Sequence, residues 1–330
     1  MKISFFSSKS YDRTYFNRYN TTHQLKFFDT SLNLESVNLL TDSQAVCVFV
    51  NDRLSAEVIA QLALKNIKII ALRCAGFNNV DLQAAQSHGI AVVRVPAYSP
   101  HAVAEHAVAL IMTLNRKTHK AYNRVREGNF SLERLTGFDI FGKTVGVIGT
   151  GKIGEAFAKI MKGFGCRVLA YDVQPNAQLE ALDIKYVPLQ ELFSASDIVS
   201  LHCPLMPQTN RLINAETLQQ MKPNAMLINT SRGGLVDTGA VIKALKSGHL
   251  GYLGIDVYEQ EADLFFNDFS ESIIQDDVLM RLMSFPNVLI TSHQGFFTEE
   301  ALCQIAQVTF QNLHDFEAGA LNPSTTLVKP

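Results

Sequence analysis

The chain has 330 residues, which is long enough for two domains that each bury a sizeable core. Its 29 basic residues nearly balance its 31 acidic residues, so charge argues against nucleic acid or an anionic membrane as a partner. The hydrophobic content of 47% is typical of a soluble globular protein, and no uninterrupted apolar run approaches the length of a membrane span. The N-terminus resembles a first strand rather than a signal peptide, which predicts a cytoplasmic protein.

The five cysteines are scattered along the chain without a CxxC pair, so the spacing predicts neither a metal site nor a disulfide framework. Cys47, Cys74 and Cys203 lie in apolar, strand-like contexts. They are predicted to be buried free thiols, which fits a reducing compartment.

The first hundred residues alternate short apolar runs with polar segments. The runs at 3–6, 45–50, 67–72 and 90–95 are continuous and rich in Val and Ile, as buried parallel strands are. Helical periodicity marks residues 55–65 and 81–88. The pattern predicts one α/β domain without a glycine fingerprint of its own.

A long helix is predicted to begin at Pro100, with Ser99 as its N-cap, and to continue to about residue 125. Its first half is apolar on more than one face, which predicts burial between domains or subunits. His101, Glu105 and His106 on this helix are not in the order HExxH. We therefore interpret them as a polar helix face or a subunit contact rather than as metal ligands.

The stretch 143–172 predicts a strand, a glycine-rich turn, a helix and a second strand. Gly149 permits a tight turn out of the first strand, Gly151 lets the backbone approach a pyrophosphate, and Gly154 lets the helix pack closely on the sheet. The N-terminus of the helix, from Lys152 and Ile153 onwards, offers unpaired N–H groups to the phosphates. This arrangement predicts a dinucleotide-binding fold.

Asp172 ends the second strand of this stretch, where a carboxylate can accept hydrogen bonds from both adenosine ribose hydroxyls. A 2′-phosphate would be repelled there, and no arginine follows at 173–176 to receive one. The predicted cofactor is therefore NAD rather than NADP.

Further apolar strands are predicted at 197–202, 225–229, 252–257 and 287–291, separated by helices that include 215–221 and 238–247. A final helix at 298–316 is expected to pack back on the first domain. The predicted fold class is α/β with two doubly wound parallel-sheet domains. A Rossmann NAD-binding domain, residues 101–297, is inserted in a discontinuous flavodoxin-like catalytic domain, residues 1–100 plus 298–330.

Ligands bind at the carboxyl ends of the strands in such sheets, and three strand ends carry unusual polar groups: Arg232, Glu261 and His293. Arginine binds a carboxylate through a fixed fork, and histidine exchanges protons near neutral pH. A carboxylate beside the histidine favours its protonated form and fixes its tautomer. Reduction of a 2-keto acid by hydride transfer requires these three groups.

Taken singly, each of the three has a simpler interpretation. Arg232 fits a surface loop, Glu261 fits a solvated acidic run, and His293 fits a turn. Together, behind a dinucleotide fold, they indicate a catalytic set.

Seven motifs give the chain a resemblance over essentially its whole length. They are RCAGFNNVD (73–81), VPAYSPHAVAEH (95–106), VGVIGTGKIG (145–154), SLHCPLMPQT (200–209), INTSRGGLVD (228–237), GIDVYEQE (254–261) and TSHQGFFTEEA (291–301). In this combination the chain resembles the D-isomer-specific 2-hydroxyacid dehydrogenases, and within them the bacterial fermentative D-lactate dehydrogenases.

The resemblance implies a role for each matching position. Arg232 would bind the substrate carboxylate and carbonyl, His293 would be the acid/base, and Glu261 would be its partner. The backbone at Ala75 and Gly76 would hold the carboxylate. The residues implied as pocket walls are Tyr98 and Phe296. The residues implied at the NAD site, besides the three glycines, are Lys152, Ile153, Asp172, Cys203, Pro204, Thr209, Thr230, Ser231, Arg232 and Asp256, the last as acceptor for the nicotinamide carboxamide N–H.

The implied reaction is the reversible reduction of pyruvate to D-lactate, with the stereochemistry taken from the family. Hydroxypyruvate and branched 2-keto acids remain alternative substrates, although the aromatic residues Tyr98, Phe296 and Phe297 favour a small pocket. The end of the chain at Pro330 weighs against the larger phosphoglycerate enzymes, and Glu261 weighs against formate dehydrogenases, which carry Gln there. A NAD-sensing corepressor is a more remote alternative. Family members commonly dimerise through the cofactor domain, so a homodimer or a homotetramer is expected.

Overall fold

The computed structural model describes residues 1–261, 264–322 and 326–330. The chain divides into two compact units. The first comprises Met1–Ser99 and Phe297–Pro330, and the second comprises Pro100–Phe296.

The first unit is a parallel α/β sheet of five strands in the order β2-β1-β3-β4-β5. Its elements are β1 (Lys2–Phe5), α1 (Ser10–Tyr19), β2 (Gln24–Phe27), a 3-10 helix (Ser36–Leu39), β3 (Ala45–Val48), α2 (Ala56–Leu64), β4 (Ile69–Leu72), α3 (Leu82–Ser87), β5 (Ala91–Arg94) and α12 (Glu299–Glu317). This strand order is that of flavodoxin-like sheets, as the sequence predicts. Helix α12 packs on β4, β5 and α1, so the end of the chain completes the unit that the beginning forms.

Burial explains which strands of this unit the sequence predicts. Every residue of β3 and β4 is buried, and these strands correspond to continuous apolar runs. Strand β2 lies at the edge, pairs only with β1, and alternates exposed and half-buried residues. Its sequence QLKF is short and half polar, so it is absent from the predicted strands.

The second unit is a parallel sheet of seven strands in the order β12-β11-β10-β9-β6-β7-β8. Its helices are α4 (Pro100–Arg116), α5 (Thr118–Arg126), α6 (Lys152–Gly163), α7 (Ala177–Glu180), α8 (Leu189–Ala195), α9 (Ala215–Gln220), a 3-10 helix (Gly233–Leu235), α10 (Thr238–Ser247) and α11 (Asp277–Met283). Its strands are β6 (Thr144–Ile148), β7 (Arg167–Tyr171), β8 (Lys185–Tyr186), β9 (Ile198–Leu201), β10 (Ala225–Asn229), β11 (Leu250–Ile255) and β12 (Val288–Ile290). The order reverses between β6 and β9, which makes this the point where a doubly wound sheet binds its ligand.

Two apolar cores cover the two faces of this sheet. Along β10, Met226 and Ile228 belong to the core formed with α4 and α6, whereas Leu227 belongs to the core formed with α8 and α10. Successive residues of a strand point to opposite faces, so this division places helices on both sides. The predicted α/β class with two doubly wound parallel sheets is confirmed.

The single long helix predicted from Pro100 to about residue 125 is wrong. Helix α4 ends at Arg116, and Lys117 adopts a left-handed conformation with φ of 50° before α5 begins. The Lys117 ammonium donates to the carbonyls of Arg134 and Thr136, which stabilises the break. The spacing of apolar residues does not reveal such a break, because one residue in a non-helical conformation leaves most of that spacing unchanged.

The predicted burial of Cys47, Cys74 and Cys203 is confirmed. Burial raises the pKa of the Cys47 thiol to about 12 and that of the Cys203 thiol to about 11. Across the described residues, no helix combines the length and hydropathy needed to cross a membrane.

Candidate active site

The glycine-rich turn after β6 is built by close backbone contacts. Gly149 has a φ of 92°, a conformation that side chains disfavour, and a Cβ there would lie 2.5 Å from the backbone nitrogen of Cys203. A Cβ on Gly154 would lie 1.9 Å from the carbonyl oxygen of Gly149, so only glycine lets α6 approach the turn this closely. A Cβ on Gly151 would meet no atom within 4 Å. The turn is therefore tight toward the sheet and open above Gly151.

The open side of this turn is suited to an anion. Gly151 is the N-cap of α6 and provides no side chain to satisfy the first N–H groups of the helix, at Lys152 and Ile153. The hydroxyl of Thr230, after β10, which is separated from β6 by β9, is buried and has no hydrogen-bond partner in the described ranges. Unsatisfied N–H groups at the start of a helix, beside the open space at Gly151, fit the phosphates of a dinucleotide.

Asp172 follows β7 at the position predicted for ribose recognition. Its Oδ2 accepts from the backbone N–H of Thr150 at 2.6 Å and from the Thr150 hydroxyl at 3.1 Å, and its Oδ1 accepts from the N–H of Gln174 at 3.1 Å. The Tyr186 hydroxyl donates to Thr150 Oγ1 at 2.9 Å. These bonds hold the carboxylate in a fixed direction at the edge of the turn.

The segment from Cys203 to Thr209 forms a polar turn beside β9. The Thr209 hydroxyl donates to the carbonyl of Pro204 at 2.7 Å and accepts from the N–H of Met206 at 2.8 Å. The Ser231 hydroxyl donates to the carbonyl of Cys203 at 2.6 Å. Hence the segment after β9 is tied to the segment after β10, where Thr230, Ser231 and Arg232 lie.

Arg232 lies three residues after the end of β10 and is half-buried. Its Nη1 donates to the carbonyl of Ser231 at 2.7 Å, and Asn229 Nδ2 donates to the carbonyl of Arg232 at 2.8 Å. Within the described residues, no carboxylate pairs with Arg232, so none of them neutralises its charge. A guanidinium fixed at a strand end and without a counter-ion can bind an anionic ligand.

Glu261 and His293 form a pair. His293 Nδ1 lies 2.8 Å from Glu261 Oε1, and the N–H of Tyr258 donates to Glu261 Oε2 at 2.9 Å. An ionised carboxylate only accepts, so Nδ1 carries a proton and Nε2 is left as the reactive nitrogen. The ring of Phe266 lies beside the imidazole, with 5.9 Å between centroids. The side chains of Glu261 and His293 are only 22% and 19% exposed.

Asp256 follows β11 and is almost fully buried, with its side chain 2% exposed. Its carboxylate lies within reach of four donors of its own unit, on His106, Thr291, Gln294 and Gly295. Burial raises the pKa of Asp256, but hydrogen bonds from His106 and Thr291 outweigh it, so the pKa lies below its ordinary value. This cluster joins residues far apart in sequence, and the pattern of α4 does not indicate that His106 belongs to it.

The first unit has polar positions of its own. Arg94 Nη1 donates to the carbonyl of Ala75 at 3.0 Å, and the Cys74 thiol to that of Gly76 at 3.3 Å. In the described part of the chain, the backbone N–H groups of Ala75 and Gly76 have no partner. They are therefore available to an anion. Tyr98 is half-buried, and Phe296, in the second unit, is buried.

A buried ion pair that the sequence did not suggest lies next to this segment. Arg73 is 2% exposed; its Nε donates to Asp12 Oδ1 at 3.1 Å and its Nη2 to the carbonyl of Ser7 at 2.9 Å. The pair connects the end of β4 with α1, and the bond to Ser7 connects the same arginine with the loop after β1. Arg73 opens the motif at 73–81, but nothing in that motif identifies its partner.

The fold and these positions define a dinucleotide-dependent dehydrogenase. Residues 108–295 match the family described as "D-isomer specific 2-hydroxyacid dehydrogenase, NAD binding domain". The chain is 53% identical to D-lactate dehydrogenase of Escherichia coli over 326 residues, 98% of this chain and 99% of that protein.

Solved structures agree. The pyruvate reductase of Chlamydomonas reinhardtii has a TM-score of 0.93 and 47% identity over 97% of both chains. The NAD-complexed D-isomer specific 2-hydroxyacid dehydrogenase of Lactobacillus delbrueckii ssp. bulgaricus has a TM-score of 0.80 and 32% identity, covering 99% of this chain and 100% of that one. This chain belongs to the D-isomer specific 2-hydroxyacid dehydrogenase family. It is an NAD-dependent oxidoreductase that acts on the CH–OH group, as the sequence predicts.

Proposed function

We propose that this protein is a D-lactate dehydrogenase that reversibly reduces pyruvate to D-lactate. The observation that carries the proposal is the His293–Glu261 pair, which leaves Nε2 of His293 as the reactive nitrogen in a unit whose described residues give Arg232 no carboxylate partner. The similarity to proteins named D-lactate dehydrogenase and pyruvate reductase supports pyruvate as the substrate.

Each residue has a defined part in the proposed reaction. When bound, NADH would supply the hydride for reduction at C2 of the keto acid. Arg232 binds the substrate carboxylate through its fork and polarises the carbonyl group. His293 donates its Nε2 proton to the carbonyl oxygen, which becomes the hydroxyl, and takes that proton back in the oxidation of lactate. Glu261 holds the imidazole in this orientation and stabilises its protonated form.

The remaining site residues follow the family assignment. The free N–H groups of Ala75 and Gly76 would hold the substrate carboxylate, and Tyr98 and Phe296 would wall the pocket. For the cofactor, the residues proposed are Gly149, Gly151, Lys152, Ile153, Gly154, Asp172, Cys203, Pro204, Thr209, Thr230, Ser231, Arg232 and Asp256.

The wider assignments are also proposals. Residues 101–297 would form the cofactor domain, and residues 1–100 with 298–330 the catalytic domain. We propose a cytoplasmic, fermentative enzyme that forms a homodimer or homotetramer through the cofactor domain.

The decisive experiment measures kcat/KM for pyruvate, hydroxypyruvate, 2-ketoisocaproate and phenylpyruvate with NADH and with NADPH, and then the configuration of the lactate formed. The proposal expects the highest value for pyruvate with NADH, and D-lactate as the product. A comparable or higher kcat/KM for another keto acid would replace pyruvate with that substrate. Tight NADH binding without any turnover would favour a NAD-sensing binding protein.

A second measurement isolates His293. His293→Ala is expected to lower kcat by about 10²-fold or more, because proton transfer by a positioned side chain contributes at least that much. NADH affinity should stay close to wild type. The exposed His88→Ala is the matched control. A loss of NADH affinity equal to the loss of turnover would contradict the acid/base role.

A further inference from the structure

His106 on α4 is connected to the segment that carries His293 by a chain of hydrogen bonds. His106 Nε2 lies 3.0 Å from the Thr291 hydroxyl and 3.3 Å from Asp256 Oδ1. The Thr291 hydroxyl lies 2.5 Å from the same Oδ1. The side chain of His106 is only 14% exposed, so these hydrogen bonds are largely shielded from water.

The direction of these hydrogen bonds follows from the number of hydrogens available. Asp256 has a pKa below its ordinary value and is an ionised acceptor near neutral pH. The Thr291 hydroxyl has one hydrogen, which it donates to Asp256. His106 Nε2 faces two oxygens that both need a donor, so Nε2 carries a proton. His106 therefore donates toward Thr291 and Asp256.

Asp256 in turn holds the backbone around His293. Its carboxylate accepts the N–H of Gln294 at 2.9 Å and of Gly295 at 2.8 Å, and its backbone carbonyl accepts the N–H of His293 at 2.8 Å. His293 has a φ of 54°, in the left-handed region that residues other than glycine rarely adopt. Such a conformation persists only where surrounding bonds over-determine it.

The packing around Gly295 shows how closely the parts fit. A Cβ at this position would lie 3.0 Å from Asp256 Oδ2 and 3.4 Å from His106 Cδ2. Gly295 is thus enclosed by the same two side chains, and a shift of His106 would loosen the support of the backbone at residues 293–295.

We propose that His106 is a positioning residue for proton transfer: through Thr291 and Asp256 it holds His293 in its left-handed backbone conformation, with Nδ1 toward Glu261. This proposal rests on the proposed acid/base role of His293. It gives Asp256 a task within the protein in addition to the proposed contact with the nicotinamide carboxamide. Among the described residues, Oδ2 accepts only from Gly295, which leaves it a lone pair for that contact.

The test compares four variants of the full chain. His106→Leu and Thr291→Val remove the donor or the hydroxyl at similar volume, whereas His106→Gln and Thr291→Ser retain them. His101→Gln, on an exposed position of the same helix, is the control. Each variant is measured for kcat, for KM with NADH, for thermal stability, and for amide hydrogen exchange by mass spectrometry.

The two disruptive variants are expected to lower kcat by about 10–100-fold, because a catalytic group displaced by about 1 Å loses that much. Exchange should rise in peptides that contain residues 293–295, while the rest of the unit keeps its protection. The retaining variants should keep kcat within about fivefold of wild type, because they preserve the hydrogen bond and change only its strength. The control should match wild type.

The double variant His106→Leu/Thr291→Val sharpens the test. If both residues act through one chain, the double variant should lose little more activity than either single variant. Wild-type kcat and exchange in His106→Leu would overturn the proposal, and so would a rise in exchange spread over the whole unit with a lowered Tm. If the wild type does not reduce pyruvate, the proposed function fails, and local exchange at residues 293–295 still decides whether His106 holds this segment.

Discussion

Glu261 binds a backbone N–H with one carboxylate oxygen and contacts His293 with the other. Its Oε2 accepts the backbone N–H of Tyr258, three residues earlier, while its Oε1 faces His293 Nδ1 at 2.8 Å. One oxygen anchors the carboxylate to its own turn and the other orients the imidazole. Tyr258, Glu261 and His293 all belong to the second unit.

Glu261→Gln should separate the effect of the carboxylate charge on catalysis from the effect of the side chain's shape. The amide oxygen of Gln can still accept from Nδ1, but it carries no charge to stabilise the imidazolium. We expect kcat to fall by about 10–100-fold in both directions with little change in NADH affinity, a loss typical of weakened acid–base catalysis. Glu216→Gln, an exposed position on α9, is the control. The measurement is steady-state kinetics together with NADH affinity. An unchanged kcat would contradict the assignment.

Arg232→Lys should cost more than a conservative change suggests. Lys keeps the charge but loses the planar fork, so one of two parallel hydrogen bonds to a carboxylate is lost. A hydrogen bond to a charged group contributes about 1.5–3 kcal/mol, so we expect kcat/KM to fall by about 10–10²-fold, through a higher KM and a lower kcat. Arg211→Lys, on an exposed side chain, should change neither. An Arg232→Lys enzyme with wild-type KM and kcat would remove Arg232 from the substrate site.

The parts of this fold that the sequence predicts are those encoded locally. The glycine spacing of 149–154 lies between two apolar runs, and the structure has β6, the turn, α6 and β7 in that order. The sequence also predicts Arg232, Glu261 and His293 at strand ends, because parallel strands deliver their ends to one edge. In the structure, His293 Nδ1 lies 2.8 Å from Glu261 Oε1.

The parts that the sequence does not predict depend on single residues or on distant contacts. Lys117 breaks a helix through its own backbone conformation, and the spacing of apolar residues does not indicate that conformation. His106 and Asp256 meet across 150 positions, and Arg73 and Asp12 across 61. One sequence without an alignment carries no signal for such pairs, because a lone polar residue in an apolar segment has many possible partners.

Asp172→Asn should weaken the preference for NADH. Both carboxylate oxygens accept backbone N–H groups, from Thr150 and Gln174, and an amide NH2 would face one of these donors. The variant also loses the charge that repels a 2′-phosphate. We expect KM for NADH to rise about 10–100-fold, from the loss of one or two charged hydrogen bonds, and KM for NADPH to change less. Asp183→Asn, on a side chain that is 81% exposed, is the control. An unchanged ratio of kcat/KM for the two cofactors would refute the role of Asp172.

Substitution of two glycines of α6 by alanine should change the free energy of unfolding in opposite directions. A Cβ on Gly154 would lie 1.9 Å from the Gly149 carbonyl oxygen, so Gly154→Ala must displace the helix from the turn. We expect a loss of about 1–3 kcal/mol of unfolding free energy, as in overpacked cores, together with a higher KM for NADH. A Cβ on Gly163 would meet nothing within 4 Å, and Gly163→Ala should stabilise the chain by about 0.5 kcal/mol because alanine restricts the unfolded state. Denaturant unfolding of both variants, with NADH kinetics, measures the two signs. Equal stability of Gly154→Ala and wild type would mean that the turn yields to the methyl group and that close packing of α6 is not required.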